Sequence, residues 1–241
     1  LGEMALEKLC DQVSRWQSPR NPAAQLPVSL NLSPRQLIEP GFVKMVMDRL
    51  IEWQIPADHL MFDITETALL RDPQKSKSIM ETLQDLGIKL CLDDFGTGWS
   101  SLQHLITFPV QELKIDQVFI SKIARGNTEF EVVRSLIALA HTLGLRVTAE
   151  GIESSEQWRL LQEIGCDYGQ GYYIGGPMGP AEVVKYLEDL ERGSCPADRP
   201  ATPPTVKPAP KRAPWSQEAN LPARPSKLPL PLERGVKARP V

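Results

Sequence analysis

The chain has little of what a disulfide-framed, zinc-thiolate or membrane-spanning protein needs. Its 241 residues include only 4 Cys (Cys10, Cys91, Cys166 and Cys195), and no two of them form a C-x-x-C pair. That excludes a paired disulfide framework, argues against a structural zinc site, and fits a reducing compartment. There are only 3 His (His59, His104 and His141), and none stands beside a cysteine. No apolar run approaches the roughly 18 residues that a membrane span requires, and the first residues do not read as a signal peptide. A cytoplasmic location is therefore expected, with an upstream membrane anchor left open.

Net charge is small, −3, but it is unevenly spread. From Gly193 onward lie 12 of the 22 prolines, with 9 Lys/Arg against 3 Asp/Glu, so this stretch carries +6 and the rest −9. A Pro-rich basic stretch with few apolar residues cannot offset its ordering entropy. Residues 193–241 are expected to be a disordered tail, and residues 1–192 one domain. Such tails can touch acidic partners, but the plainer reading is a solvated tail, and no nucleic-acid partner is expected. The chain opens at Leu1 inside an apolar pattern (Met4, Leu6, Leu9, Val13) that reads as a helix.

What the chain does have is six short apolar runs, each carrying a chemically active residue near its end. They are VSLN at 28–31, LMFDITE at 60–66, LCLDDFGTGWSSL at 90–102, ELKID at 112–116, VTAEGIE at 147–153 and DYGQGYY at 167–173. The active residues are Asn31, Asp63, the pair Asp93 and Asp94, Lys114, Glu150 and Gln170, spaced by 32, 30, 21, 36 and 20 residues. A strand with its return helix takes about 30 residues. The polar residues thus recur once per strand–helix unit.

Side chains alternate faces along a strand. One face reads Val28, Leu30; Leu60, Phe62, Ile64; Leu90, Leu92; Leu113, Ile115; Val147, Ala149. The other reads Ser29, Asn31; Met61, Asp63; Cys91, Asp93; Lys114; Thr148, Glu150. Between the runs, stretches 75–87, 128–144 and 154–165 show helical periodicity and end on Gly87, Gly144 and Gly165. Strands alternating with helices predict a parallel sheet covered by helices, and a polar inner face fits a TIM-type (β/α)8 barrel, of which these runs would supply six strands. In such a barrel the polar face points inward and the active residues gather at the C-terminal ends of the strands.

Asn31, Asp63, Asp93, Asp94 and Glu150 are hard oxygen donors, suited to Mg²⁺ or Mn²⁺ rather than zinc. Without a cation, carboxylates crowded at one barrel mouth would raise each other's pKa. The adjacent Asp93 and Asp94 could bridge two metals at about 3.5–4 Å, the arrangement for in-line displacement at phosphorus. Lys114 would supply positive charge to a phosphate oxygen or the attacking water. Taken singly, each has a plainer role. An acid at a strand end is most often a helix N-cap. A lone lysine pairs with a carboxylate, and a lone Gln170 satisfies a loop. Trp53 and Trp158 are core. Convergence of six positions on one face favours the functional reading, and the glycines of 95–101 permit close approach to a ligand.

At these residues the chain resembles the EAL family of bacterial cyclic di-GMP phosphodiesterases, from about residue 1 to 186. The motifs are N-L-S at 31–33, D-I-T-E at 63–66, D-D-F-G-T-G-W-S-S at 93–101, K-I-D at 114–116, A-E-G-I-E at 149–153 and Q-G-Y at 170–172. The resemblance implies a two-metal site (Mg²⁺ or Mn²⁺). Asn31, Asp63 and Asp93 would hold the first metal with a glutamate from an E-x-L strand, and Asp94 and Glu150 the second. Lys114 and Glu150 would be catalytic, placing the attacking water. Glu66 would anchor the 93–101 loop, and Glu153 and Gln170 would support the metal site and a substrate phosphate. It further implies cyclic di-GMP as ligand, a homodimer, and an upstream sensor or diguanylate-cyclase-like domain in a signalling protein.

Two departures follow. The E-x-L strand would lie roughly 55–60 residues before Asn31, two strand–helix units upstream and so before Leu1. An N-terminally incomplete barrel, short of two strands and one metal ligand, is expected. Asp63 stands where the family has Glu, one methylene shorter, and Mg²⁺ tolerates such changes poorly. The expected reaction is hydrolysis of cyclic di-GMP to linear pGpG. The alternatives are a catalytically impaired cyclic di-GMP receptor and, less favoured by the ligand set, an interaction module that binds no nucleotide.

Overall fold

A computed structural model describes residues 2–69, 71–96 and 102–192. Six strands are present: β1 (Val28–Leu32), β2 (Leu60–Thr65), β3 (Lys89–Phe95), β4 (Glu112–Ile115), β5 (Arg146–Glu150) and β6 (Tyr168–Gln170). They pair in sequence order, every pair parallel, as a curled half-barrel. Among the described residues no strand pairs with the outer edges of β1 and β6. The expected tail, 193–241, and loop positions 97–101 lie outside the described residues.

Helices return each strand. α1 (Gly2–Trp16) precedes β1, and α2 (Pro34–Leu37) and α3 (Phe42–Glu52) lead to β2. α4 (Glu66–Leu69) and α5 (Pro73–Asp85) lead to β3, and α6 (Leu102–Thr107) to β4. α7 (Gln117–Ile120) and α8 (Thr128–Thr142) lead to β5, α9 (Ser155–Glu163) to β6, and α10 (Pro180–Glu191) follows. The starts are capped by short polar side chains, which satisfy amides that a helix leaves unbonded. Asp72 accepts from Lys75 N at 3.1 Å and Asn127 from Phe130 N at 2.9 Å. Ser154 and Gln157 cap one another at the head of α9.

The apolar sequence face lies under these helices. Phe62, Ile64, Leu90, Leu92, Leu113, Ile115 and Val147 are almost fully buried with Val46, Met80, Leu83, Val133, Ile137, Leu160 and Leu161 from the helices. Trp53 and Trp158 pack partly buried against the same core. The polar face lies on the concave side. Lys114 on β4 touches Asp63 on β2, two strands away, which only the inner side of a curled sheet allows. α3 and α10 carry no motif and escaped the periodicity reading. Yet α3 has a stripe of Phe42, Val46 and Leu50 at fourfold spacing, the available signal. No helix of the described residues is long and apolar enough to cross a membrane.

Candidate active site

The register of β3 against β4 builds the site. Leu92 pairs with Leu113 and Phe95 with Ile115, so Asp93 and Asp94 together oppose Lys114. This is a β-bulge, two residues facing one, and bulges re-aim side chains beside active sites. Asp94 takes φ +56, in the left-handed region that aspartate tolerates better than most residues. Strict alternation would send consecutive carboxylates to opposite faces. Instead, oxygens of Asp93, Asp94 and Glu150 all lie within 4.8 Å of one another.

Lys114 sits at the centre, its side chain only 12% exposed. Its Nζ lies 2.6 Å from Glu150 Oε1, 3.3 Å from Asp63 Oδ2 and 3.3 Å from Asp93 Oδ1. Burial works against its charge, but Glu150, Asp63 and Asp93 outweigh it and hold the ammonium well above the usual lysine range. Burial likewise pushes the Asp63 carboxyl up and Asp93 adds to this, while Lys114 and the Ser29 hydroxyl pull it back. Glu150 is raised by burial, lowered by Lys114, and raised again by Asp93 and Asp94. Three carboxylates thus share one ammonium, with Asp94 beside them.

Asp63 Oδ1 is buried with no hydrogen-bond partner in good geometry. A buried acceptor left unsatisfied is costly and calls for an ion or a donor. Together with the all-oxygen donor set, it makes the cluster fit a hard divalent cation.

The remaining candidates flank this core. Asn31 is exposed on the edge strand β1, in register with Asp63. Gln170 ends β6 in register with Glu150. The two loops beyond β5 and β6 are latched: Gln170 O accepts from Ile152 N and Ile152 O from Tyr173 N, each at 3.0 Å. A Cβ on Gly171 would stand 2.2 Å from Ile152 O, so this latch requires glycine. Asp94, Glu150, Glu153 and Gln170 line one open cleft of about 580 Å³, with Asp116 and Tyr172 at its sides. Glu153 is exposed there. Glu66 is buried at the start of α4, and the loop positions it was expected to anchor, 97–101, lie outside the described residues.

Three contributions were not drawn from the sequence. Asp116 caps α7 by accepting from Val118 N at 2.7 Å, the plainer role of an acid at a strand end. Thr148 donates to Glu112 Oε1 at 2.6 Å, a buried pair on the same concave face as Lys114. Two-residue spacing from Lys114 and Glu150 was the available signal. Tyr172, half exposed at the cleft, had none beyond its motif.

Comparison with known proteins follows this geometry. The EAL domain family matches residues 1–177. The bifunctional diguanylate cyclase/cyclic di-GMP phosphodiesterase MucR of Pseudomonas aeruginosa is 37% identical over 184 residues, covering 76% of this chain and 26% of MucR. The cyclic di-GMP phosphodiesterase RocR of the same organism is 36% identical over 177 residues, covering 72% of this chain and 45% of RocR. The chain therefore spans less than half the length of these relatives. Among solved structures, the cyclic di-GMP complex of the MucR phosphodiesterase matches with a TM-score of 0.70 at 35% identity, over 76% of this chain and 73% of that one. The manganese and cyclic di-GMP complex of Klebsiella pneumoniae BlrP1 matches with a TM-score of 0.60 at 30% identity, over 69% of this chain and 42% of that one. The architecture is that of the EAL TIM-type barrels, with six strands among the described residues. On sequence and fold alike, the chain belongs to the EAL domain family.

Proposed function

We propose that this domain is a metal-dependent phosphodiesterase that hydrolyses cyclic di-GMP to linear pGpG. The observation that carries the reading is the ring of Asp63, Asp93 and Glu150 around Lys114, with Asp94 brought alongside by the bulge. Asn31, Asp63 and Asp93 would hold one Mg²⁺ or Mn²⁺, and Asp94 and Glu150 a second. Bound there, two cations neutralise phosphate charge and lower the pKa of water to form a nucleophile. The protein's own groups do the rest. Glu150 accepts the proton of the attacking water. Lys114 holds positive charge on the concave face, where the phosphorane-like transition state gathers negative charge. Glu153 and Gln170 orient the phosphodiester in the cleft they share with Asp94 and Glu150. Glu66 steadies the loop that follows β3.

The relatives support the substrate: MucR and RocR are named for cyclic di-GMP phosphodiesterase activity, and the BlrP1 complex contains manganese with cyclic di-GMP. A homodimer and a neighbouring sensor or cyclase-like domain belong to the same proposal. One observation favours a second reading, a cyclic di-GMP receptor of impaired catalysis. Asp63 is buried and one methylene shorter than glutamate, so its carboxylate reaches less far towards a cation with strict distance demands. Chromatography of cyclic di-GMP incubated with the protein and Mg²⁺ or Mn²⁺ tests both. Formation of pGpG that is lost in Asp93→Asn supports the enzyme. Binding of intact cyclic di-GMP without pGpG, in the chain extended by two strands that carry the E-x-L glutamate, supports the receptor.

A further inference from the structure

Lys114 is placed as more than a catalytic charge. Three carboxylate oxygens surround its ammonium: Glu150 at 2.6 Å and Asp93 at 3.3 Å as ion pairs, and Asp63 at 3.3 Å as an ion pair and hydrogen bond. Those three acids come from three different strands, β5, β2 and β3. Two of them, Asp93 and Glu150, also belong to the oxygen cluster that could hold a metal ion. We propose that Lys114 is a resident cation. It draws the three carboxylates together when no divalent ion is bound, and a divalent ion must displace its contacts in order to bind.

The physical case rests on charge and burial. Asp63 and Asp93 are 5% and 8% exposed, so neither has solvent enough to screen it from its neighbours. Like charges confined at this depth repel strongly, and a single buried partner removed from such a group leaves an uncompensated charge. Lys114 offsets that repulsion across the barrel mouth, and it does so through the same oxygens that the metal reading assigns as ligands. Asp63 Oδ1, the oxygen Lys114 does not reach, is the one left unsatisfied. The lysine and a metal therefore share one set of acceptors, and each weakens the hold of the other. Metal binding would then release the ammonium from its three-way clasp, leaving it available to the phosphate.

This inference rests on the metal reading above and is tested so that the two can fail separately. The full chain and its Lys114→Met variant are melted in EDTA and in Mn²⁺, and Mn²⁺ affinity is measured from the electron paramagnetic resonance of the free ion. In EDTA the variant should melt several degrees lower, since a buried charge cluster loses its counterion. In Mn²⁺ that deficit should at least halve. Mn²⁺ should bind the variant about tenfold more tightly, the equivalent of one charge-assisted hydrogen bond no longer to be broken. Lys114→Arg, which restores the cation, should return the affinity to within about threefold of the unsubstituted chain. A variant that folds only with Mn²⁺ supports the inference, and one that folds in neither condition overturns it. Mn²⁺ binding that is equal or weaker in Lys114→Met overturns this inference alone. Absence of Mn²⁺ binding in the unsubstituted chain overturns the metal reading and this inference with it.

Discussion

Asp94 N donates to Asp93 Oδ1 at 3.0 Å across the bulge of β3, fixing the Asp93 carboxylate against the Asp94 backbone. The cost is a left-handed backbone at Asp94, φ +56, which for an L-residue amounts to about 1 kcal/mol. Glycine adopts that conformation freely. Asp94→Gly should therefore leave the melting temperature unchanged or raise it, while weakening Mn²⁺ binding at least about tenfold, the loss of one charged ligand. A clear drop in melting temperature would show that the aspartate side chain, not the metal site, justifies the strained turn.

Burial raises the Asp63 and Glu150 carboxyls, so the folded protein keeps protons there that the unfolded chain has released. In the absence of divalent ions, stability should then fall as pH rises from about 4 through the raised values. Lys114 does not counter this. Its raised pKa gives stability that is fully present below about pH 10 and is lost only as pH climbs beyond. Asp63→Asn should flatten part of the decline in a pH series of urea denaturation midpoints. An unchanged slope would mean that Asp63 titrates as an ordinary carboxylate.

At the other end of β6, Asp167 Oδ2 accepts from both Val147 N and His141 Nε2 at 2.8 Å. Burial opposes its ionisation, but His141 and the Val147 amide prevail and hold its carboxyl below the usual range. This partly exposed tie should contribute about 0.5 kcal/mol. That contribution is present above the ordinary carboxylate pKa and lost as pH falls through the depressed one. Asp167→Ala should lower stability at pH 7 by that order and much less at pH 2, as read from denaturant titrations at the two pH values. Equal losses at both would point to packing rather than charge.

Gly171 offers a test of the latch between the loops of Glu150 and Gln170. A methyl there meets backbone, not a flexible side chain, so relief requires the loops to part. Gly171→Ala should destabilise the fold by about 1–3 kcal/mol, a typical cost of overpacking. Hydrogen exchange at the amides of Ile152 and Tyr173 should accelerate in the variant. Unchanged protection there would mean that the latch does not hold the two strand ends.

Much of this was legible in the sequence, because burial enforces alternation. Leu113 and Ile115 had to face the helices, and Lys114 the barrel interior. Likewise Gly87, Gly144 and Gly165 ended their helices at positive φ, as their place after the apolar stripes indicated. The bulge was not legible. Alternation alone puts Asp93 and Asp94 on opposite faces, and only the pairing of Leu92 with Leu113 and of Phe95 with Ile115 reveals the extra residue. Neither were the ion pairs of Lys114 with acids on three other strands, because contacts across two strands depend on sheet curl. The helices α3 and α10 were less legible because their segments carry no polar motif beside the apolar stripe. Asp116 kept the modest role that a strand-end acid usually has.

The most direct test of the account is conversion of cyclic di-GMP to pGpG with Mn²⁺, followed by chromatography. It should be run on the chain and on the chain preceded by two barrel strands that carry the E-x-L glutamate. The account predicts pGpG from the extended protein, none after Asp93→Asn, and a loss of about 10²-fold after Lys114→Ala, as for removal of one electrostatic stabiliser. Affinity for cyclic di-GMP in Ca²⁺ should change far less, as expected of a group whose contribution is confined to the transition state. Cyclic di-GMP bound intact by the extended protein, with no pGpG in Mn²⁺ or Mg²⁺, would contradict the account and leave a receptor.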